Sequence, residues 1–264
     1  MNQLTFVGGG RMGEALIAGA LRGSFVAADI SVVEPDDARG QFLTQSYGVE
    51  VSADPASIAR SSVVVLAVKP QVLMQVCEQL APHLAPNTLI ISIAAGVRTS
   101  ALEAALPPGI AVVRVMPNTP AFVNEGMSVL SAGSQASEAD MARVRQLFEP
   151  VGKVLVVEES DQDAVTAISG SGPAYFFYLV EAMEAAAVGL GLSAEVAHVL
   201  AVQTARGAGV MVSQSADSAE TLRHNVTSPG GTTAAAIAQL DDHQVKQAVE
   251  SAVKAAHQRS IELS

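Results

Sequence analysis

The sequence predicts an α/β fold in which a doubly wound parallel sheet is followed by an all-helical part. Three observations carry this. Short apolar runs alternate with helical patterns up to about residue 160. Those runs are apolar on both faces, as strands are in a parallel sheet covered on both sides. After Asp161 the strand signal nearly vanishes.

In chain order, Leu4–Val7 reads as a strand, Met12–Leu21 as a helix and Ile30–Val33 as a second strand. Asp36–Ser46 follows as a helix and Val49–Val51 as a short strand. Val63–Val68 is a fully apolar strand, and Pro70 opens a helix reaching about Ala81. Leu89–Ile93 and Ile110–Val115 are the next strands. Met127–Ala132 and Val154–Val157 are further strands around a helix from Ser137 to Phe148. The helical part holds segments Ala174–Leu190, Ala194–Val212, Thr233–Gln239 and Val245–Glu262. The expected domains are therefore 1–160 and 161–264.

Composition sets limits. A chain of 264 residues, at about 150 residues per domain, forms one large domain or two ordinary ones. High apolar content (49%) with low charge (16%) argues against disorder. The net charge of −11 argues against nucleic acid or an anionic membrane as partner, since both call for a basic face. With Trp absent and few aromatics, base-stacking platforms are not expected either. Met1-Asn2-Gln3-Leu4-Thr5 has no positive leader region, and no apolar run approaches the roughly 20 residues of a membrane helix. The expectation is a cytoplasmic protein. The one cysteine, Cys77, shares the apolar spacing of Val72, Val76 and Leu80 and reads as a buried hydrophobe. No metal site is expected, because the five histidines lack ligand spacing.

The first candidate site is a glycine fingerprint. Gly8-Gly9-Gly10-Arg11-Met12-Gly13 follows the first strand and opens the first helix. In such a loop the first Gly makes the turn, the second lets backbone approach a pyrophosphate, and the third packs helix on strand. Free N–H groups at the helix start hold the phosphates. This makes the sheet Rossmann-like and dinucleotide-binding. Glu34 ends the second strand, 21 residues after Gly13, at the offset of a ribose-binding carboxylate. It can accept both ribose hydroxyls of NAD and would repel the 2′-phosphate of NADP, a repulsion that Arg11 and Arg39 can offset. NADH is therefore expected to serve at least as well as NADPH, and a tenfold NADPH preference would refute this. The alternative for Glu34 is a solvated residue opening the Glu34-Pro35-Asp36-Asp37 turn.

Ligands of open α/β sheets sit outside the carboxyl ends of the strands. Three later ends carry unusual residues: Ala67-Val68-Lys69-Pro70, Ser92-Ile93-Ala94-Ala95-Gly96, and Met116-Pro117-Asn118-Thr119-Pro120. Small residues in the second let a flat ring approach backbone, and Asn118 in the third can bond an amide. Together they favour a cofactor groove over turn chemistry alone.

In the helical part, Tyr175-Phe176-Phe177-Tyr178-Leu179-Val180 is apolar on every side. Its helix is expected to be buried all round, which points to a subunit interface and an obligate homodimer. Ser228-Pro229-Gly230-Gly231-Thr232-Thr233 precedes the next-to-last helix and offers N–H donors and hydroxyls to a carboxylate or phosphate. A plain helix cap is the alternative. No lysine lies between Asp161 and Val245, so dehydrogenases of the β-hydroxyacid type, which use a helix lysine as proton donor, do not fit. There is no G-x-S-x-G elbow.

Taken in order, several stretches make the chain resemble the pyrroline-5-carboxylate reductase family over essentially its whole length. They are Phe6 to Gly13, Ala67 to Pro70, Ser92 to Val97, Met116 to Pro120, Asp163 to Thr166, Ser169 to Tyr175 and Asn225 to Thr233. The resemblance implies NADPH- or NADH-dependent reduction of 1-pyrroline-5-carboxylate to L-proline, the last step of proline biosynthesis. It implies a homodimer through the C-terminal helices, with a decamer of dimers as a larger form. Gly8, Gly9, Gly10, Arg11, Met12, Gly13 and Glu34 then bind the adenosine end. Ala67, Val68, Lys69, Pro70, Ile93, Ala94 and Ala95 line the rest, with Asn118 and Asn225 as further contacts. Glu159, Ser228, Gly230, Gly231, Thr232 and Thr233 bind the substrate. Arg11 stands where the family more often has Asn or Gln, and Glu34 where NADPH-preferring members tend to carry Ser or Asn.

The chemistry agrees with this. Hydride transfer needs the reacting atoms held about 3–3.5 Å apart, so positioning supplies most of the rate. A cyclic imine can arrive already protonated, so no strong general acid is required. Thr233 is the candidate for the hydrogen bond to the ring nitrogen. An intertwined dimer lets the cofactor and substrate turns of one site come from different chains. Two rivals are another cyclic-imine reductase of this architecture and a non-catalytic dinucleotide sensor.

Overall fold

Eight strands form one sheet: β1 (Leu4–Val7), β2 (Ile30–Val33), β3 (Glu50–Ser52), β4 (Val63–Leu66), β5 (Leu89–Ser92), β6 (Ala111–Met116), β7 (Gly126–Ala132) and β8 (Gly152–Val156). Their order is β3-β2-β1-β4-β5-β6-β7-β8. The structure is a computed structural model describing residues 4–263. Met1, Asn2 and Gln3, part of the expected leaderless N-terminus, and Ser264 lie outside the described residues.

Every pairing from β3 through β6 is parallel. The β6–β7 pair is antiparallel, and β8 runs parallel to β7. The reversal departs from the uniformly parallel sheet the sequence suggests, and its cause is the length of the link. Residues 117–125 carry only a 3₁₀ turn, Thr119–Val123, whereas a parallel return needs a crossover of a dozen residues or more.

Alternate side chains of each strand enter opposite layers. Leu4, Phe6, Ile30 and Val32 pack with Leu16 and Ile17 of α1 (Arg11–Arg22), Leu43 of α2 (Asp37–Tyr47) and Leu147 of a later helix, Glu138–Phe148. On the other face Val7, Val33, Val64, Leu66 and Ile90 meet Leu73, Cys77 and Leu80 of α3 (Pro70–Leu80) and Leu102 of α4 (Thr99–Ala105). This double coverage is why the strands read as unbroken apolar runs. Cys77 is fully buried, as its spacing predicts, and burial pushes its thiol up to about 11. In chain order Glu138–Phe148 is α5, opened by a reciprocal Ser137–Asp140 capping box.

Some boundaries differ from expectation. β4 ends at Leu66, not Val68: Pro70 at the first helical turn forces Lys69 into extended backbone, and the chain leaves the sheet early. α4 is too short to show a helical period and is not predicted. After β8 come α6 (Gln162–Val165) and a π-helical turn, Thr166–Gly170.

The chain divides into two compact units, Met1–Ser171 with Ala256–Ser264, and Gly172–Ala255. The second contains α7 (Gly172–Gly189), α8 (Ala194–Gln214), α9 (Ala219–Asn225), α10 (Thr232–Asp242) and most of α11 (Val245–Leu263). Within it only Gly172, Ala197 and Ala201 are buried. The expected all-round burial of α7 is therefore not met within one chain. Phe176, Phe177 and Tyr178 are 69%, 66% and 75% exposed. An all-apolar helix needs neighbours on every side, and one chain does not supply them. No helix of the described residues is long and apolar enough to cross a membrane.

Candidate active site

The carboxyl ends of β1, β2, β4, β5 and β6 lie side by side, because the register aligns Val7 with Val33 and Leu66, Leu66 with Ser92, and Ser92 with Arg114. The Gly8 N–H donates to the Val33 carbonyl at 2.9 Å, and the Ala67 N–H to the Val7 carbonyl at 2.8 Å. Residues far apart in sequence thus meet at one edge.

The glycine loop stands on this edge. Gly8 has φ +97°, and a Cβ there would lie 2.8 Å from the Ala67 carbonyl oxygen. A Cβ on Gly13 would lie 2.6 Å from the Gly8 carbonyl oxygen. Both glycines are thus required by packing alone. Gly10 differs, because a Cβ there meets nothing within 4 Å among the described residues. The mouth of the loop is open, and α1 begins there without a side-chain cap. Open space, uncapped helical N–H groups and glycine backbone fit a dinucleotide pyrophosphate.

Beside the loop is a cleft of about 390 Å³, lined among others by Gly8, Gly10, Glu34, Ala67, Val68 and Lys69. Glu34 Oε2 accepts the Gly9 N–H at 2.8 Å and Oε1 the Asp36 N–H at 3.0 Å. Arg39 braces the loop from α2, donating from Nε to the Gly9 carbonyl and pairing through Nη2 with Glu14. Tyr47 donates to the other Glu14 oxygen at 2.8 Å. Burial raises the Glu14 pKa, but the bonds from Arg39 and Tyr47 outweigh it and leave the carboxyl below its usual range.

The Met12 side chain packs against the core, and the Arg11 guanidinium lies over the Phe122 ring at 5.2 Å. Pro70 opens α3, and Ile93, Ala94 and Ala95 follow β5 at the same edge, with Ala94 buried. Asn118 is engaged at both ends of its amide. Nδ2 donates to the Ser169 carbonyl at 3.1 Å, and Oδ1 accepts the Met127 N–H at 2.8 Å. It ties the π-helical turn to the loop after β6. Both oxygens of Glu159 are engaged too, accepting the Thr99 N–H and hydroxyl at 2.7 Å each, with Arg114 Nη1 at 3.4 Å. Glu159 thereby fixes the start of α4 and the turn after β5.

Arg114 and Thr99 were not singled out from sequence. The signal existed in Ala111-Val112-Val113-Arg114-Val115-Met116, where one charge interrupts an apolar strand. That guanidinium is 3% exposed, and among the described residues its Nη2 has no hydrogen-bond partner.

In the second unit, Asn225 ends α9 and is exposed. Gly230 has φ +69°, and the Gly231 N–H donates to the Ser228 carbonyl at 3.0 Å, closing a tight turn. Gly231 caps α10 with no side-chain bond, and Thr232 and Thr233 form its first turn. Amides and hydroxyls in this arrangement suit a small carboxylate.

Comparison with known proteins decides the kinship. Residues 159–263 match the family profile described as pyrroline-5-carboxylate reductase dimerisation, and residues 3–96 match that described as NADP oxidoreductase, coenzyme F420-dependent. A pyrroline-5-carboxylate reductase of Pseudomonas aeruginosa is 44% identical over 99% of this chain and 97% of its own. One of Mycobacterium tuberculosis is 40% identical over 100% and 97%. The chain belongs to the pyrroline-5-carboxylate reductase family. A solved pyrroline-5-carboxylate reductase of Coxiella burnetii superposes with a TM-score of 0.93 at 36% identity, covering 100% of this chain and 98% of that one. That of Plasmodium falciparum, solved with NADP bound, gives 0.89 at 31%, covering 99% and 98%. The pyrroline-5-carboxylate reductase dimerisation segment takes in everything from Glu159 to the end of α11.

Proposed function

We propose that this chain reduces 1-pyrroline-5-carboxylate to L-proline, the last step of proline biosynthesis, using NADPH or NADH. The observation that carries the reading is an open glycine cradle, bare at Gly10, in a full-length member of this family. When bound, the reduced nicotinamide supplies the hydride.

The protein's own part is binding and positioning. The first-turn amides of α1 and the Gly8–Gly13 backbone hold the pyrophosphate. Glu34 accepts from the ribose, and Ala67 to Pro70 with Ile93 to Ala95 wall the cofactor. Arg11 and Met12 contribute backbone, while Asn118 holds the loop after β6 in place. Asn225 is a further contact. Ser228, Gly230, Gly231 and Thr232 present the amide turn to the substrate carboxylate. Thr233 gives or accepts the hydrogen bond at the ring nitrogen. Glu159 serves the substrate region by fixing the turn after β5.

Residues 1–160 form the nucleotide-binding domain and 161–264 the pairing and substrate domain. The active form is a homodimer, cytoplasmic, working on a small molecule without nucleic acid or membrane. The exposed side of α7 supports the dimer, because it leaves large aromatic side chains in water. Loss of NADH or NADPH absorbance on adding pyrroline-5-carboxylate, with proline identified as product, tests the reaction. Nucleotide binding without proline formation would favour the sensor instead.

A further inference from the structure

Arg114 is the one charged residue of β6, and it lies within the sheet rather than at its rim. Its register partners are Ser92 of β5 and Ser131 of β7, both fully buried. Register partners share a face, so a buried polar row crosses three strands. Arg114 Nη1 donates to Glu159 Oε1, and Glu159 is its ion-pair partner among the described residues. A buried pair of this kind returns little net stability, because desolvating the guanidinium offsets the attraction. What it provides is a fixed place for the carboxylate.

That carboxylate holds the start of a helix. Arg98, which precedes α4, makes no side-chain cap bond. Glu159 takes over the duty from a distant turn by accepting both donors of Thr99, and a negative charge suits a helix start. α4 begins where the turn after β5 ends. The near end of this turn is fixed by the Ile93 N–H on the Leu66 carbonyl at 3.2 Å and by Ser92 Oγ, which accepts the Ala94 N–H at 3.4 Å. At Gly96, with φ +77°, a Cβ would lie 2.9 Å from the Leu263 carbonyl oxygen, so the last turn of α11 closes over the middle. Glu159, held by Arg114, fixes the far end.

β4 and β5 lie on one side of β1, and β2 lies on the other. A dinucleotide with its pyrophosphate on the glycine loop and its adenosine ribose at β2 lays its nicotinamide toward the ends of β4 and β5. The turn after β5 then stands against the reacting ring. A misplacement of about 1 Å at such a ring can cost about a hundredfold in rate.

We propose that Arg114 is a positioning residue for hydride transfer: through Glu159 it sets where the turn after β5 stands, and so where the nicotinamide lies, without touching cofactor or substrate. The proposal rests on the reading of the chain as a nicotinamide-dependent reductase and adds a residue to that site.

Arg114→Met keeps an apolar stem and removes the charge. Three measurements on the full chain test its effect: kcat with pyrroline-5-carboxylate, calorimetric binding of ADP-ribose, and the fluorescence of reduced nicotinamide on binding. ADP-ribose carries the pyrophosphate but no nicotinamide, so it reads the glycine loop alone (its 2′-phosphate form serves if NADPH is the better reductant). Arg114→Met is expected to lower kcat about tenfold and to leave ADP-ribose affinity within about twofold. The fluorescence of the bound nicotinamide should change as well. Arg114→Lys restores a charge opposite Glu159 and should recover kcat to within about threefold of the unaltered protein. Native kcat in Arg114→Met overturns the proposal. So does a loss of ADP-ribose affinity in step with kcat, which marks a general effect on the fold, or a lysine variant as slow as the methionine one. If Arg114→Met does not fold, Thr99→Val decides, since it removes one bond to Glu159 at constant shape: kcat lower by about threefold with ADP-ribose binding kept supports the proposal, and native kcat overturns it. If the unaltered protein forms no proline, the reaction reading fails; the proposal then stands or falls on whether Arg114→Met weakens binding of the reduced dinucleotide while sparing ADP-ribose.

Discussion

Thr233 and Cys77 show two different uses of one side chain. Thr233 is half-buried in the first turn of α10, where its hydroxyl is free of any capping duty. If it bonds the ring nitrogen during hydride transfer, Thr233→Val should lower kcat/KM about tenfold or more, about 1.4 kcal/mol of transition-state binding. Unchanged steady-state kinetics would take it out of the mechanism. Cys77 has a structural role, and its titration makes stability depend on pH. Burial raises the thiol from 9.0 to about 11. Above pH 9 the unfolded chain binds fewer protons than the folded one, so stability falls as pH rises toward 11, by about 1.4 kcal/mol per pH unit. Below pH 9 this contribution is fully present. Urea midpoints measured from pH 8 to 11 should drop more steeply for the native sequence than for Cys77→Ala, which has no thiol to ionise. Asn118 and Glu159 belong at this scale as well. Both were singled out beforehand, but their partners Ser169, Met127, Thr99 and Arg114 were not, because most of these pairs join distant parts of the chain.

Among the elements, the turn from β1 into α1 separates packing from binding within one motif. Gly13→Ala places a Cβ 2.6 Å from the Gly8 carbonyl oxygen. Overpacking of this kind costs about 1–3 kcal/mol, and thermal denaturation should show Tm lower by roughly 2–4 °C per kcal/mol. Gly10→Ala meets nothing within 4 Å among the described residues and should leave Tm within about a degree. Its methyl occupies the mouth of the cradle, so nucleotide affinity should fall about tenfold by calorimetry. Equal effects of the two changes on Tm and affinity would contradict this division. The motif announces both roles because glycine spacing is local. The antiparallel step into β7 was not legible, since it depends on which neighbour a strand meets after a short link.

At the level of the whole molecule, the Gly172–Ala255 unit leaves most of its apolar surface in water. Phe177, 66% exposed on α7, is the natural probe of pairing. If that surface is shared between two chains, Phe177→Glu would bury an unpaired charge in the dimer. The native chain is expected to scatter light as a dimer, and the variant as a monomer with lower Tm. A native monomer at micromolar concentration would refute the obligate dimer. The sequence showed this stretch of α7 to be apolar all round and pointed to a subunit interface, but not which side chains its own chain leaves exposed. Composition records which side chains avoid water, not which molecule shields them.

Fold class, strand positions, the glycine cradle and the amide turn before α10 were determined by the sequence itself. Each depends on a local period or on residues adjacent in the chain, where backbone geometry decides the outcome. The tertiary structure alone decided that Arg39 braces the glycine loop beside Glu34 and that Glu159 holds Thr99. Those outcomes arise where separate strand ends and helix starts converge, and such distances enter only when the sheet order is fixed.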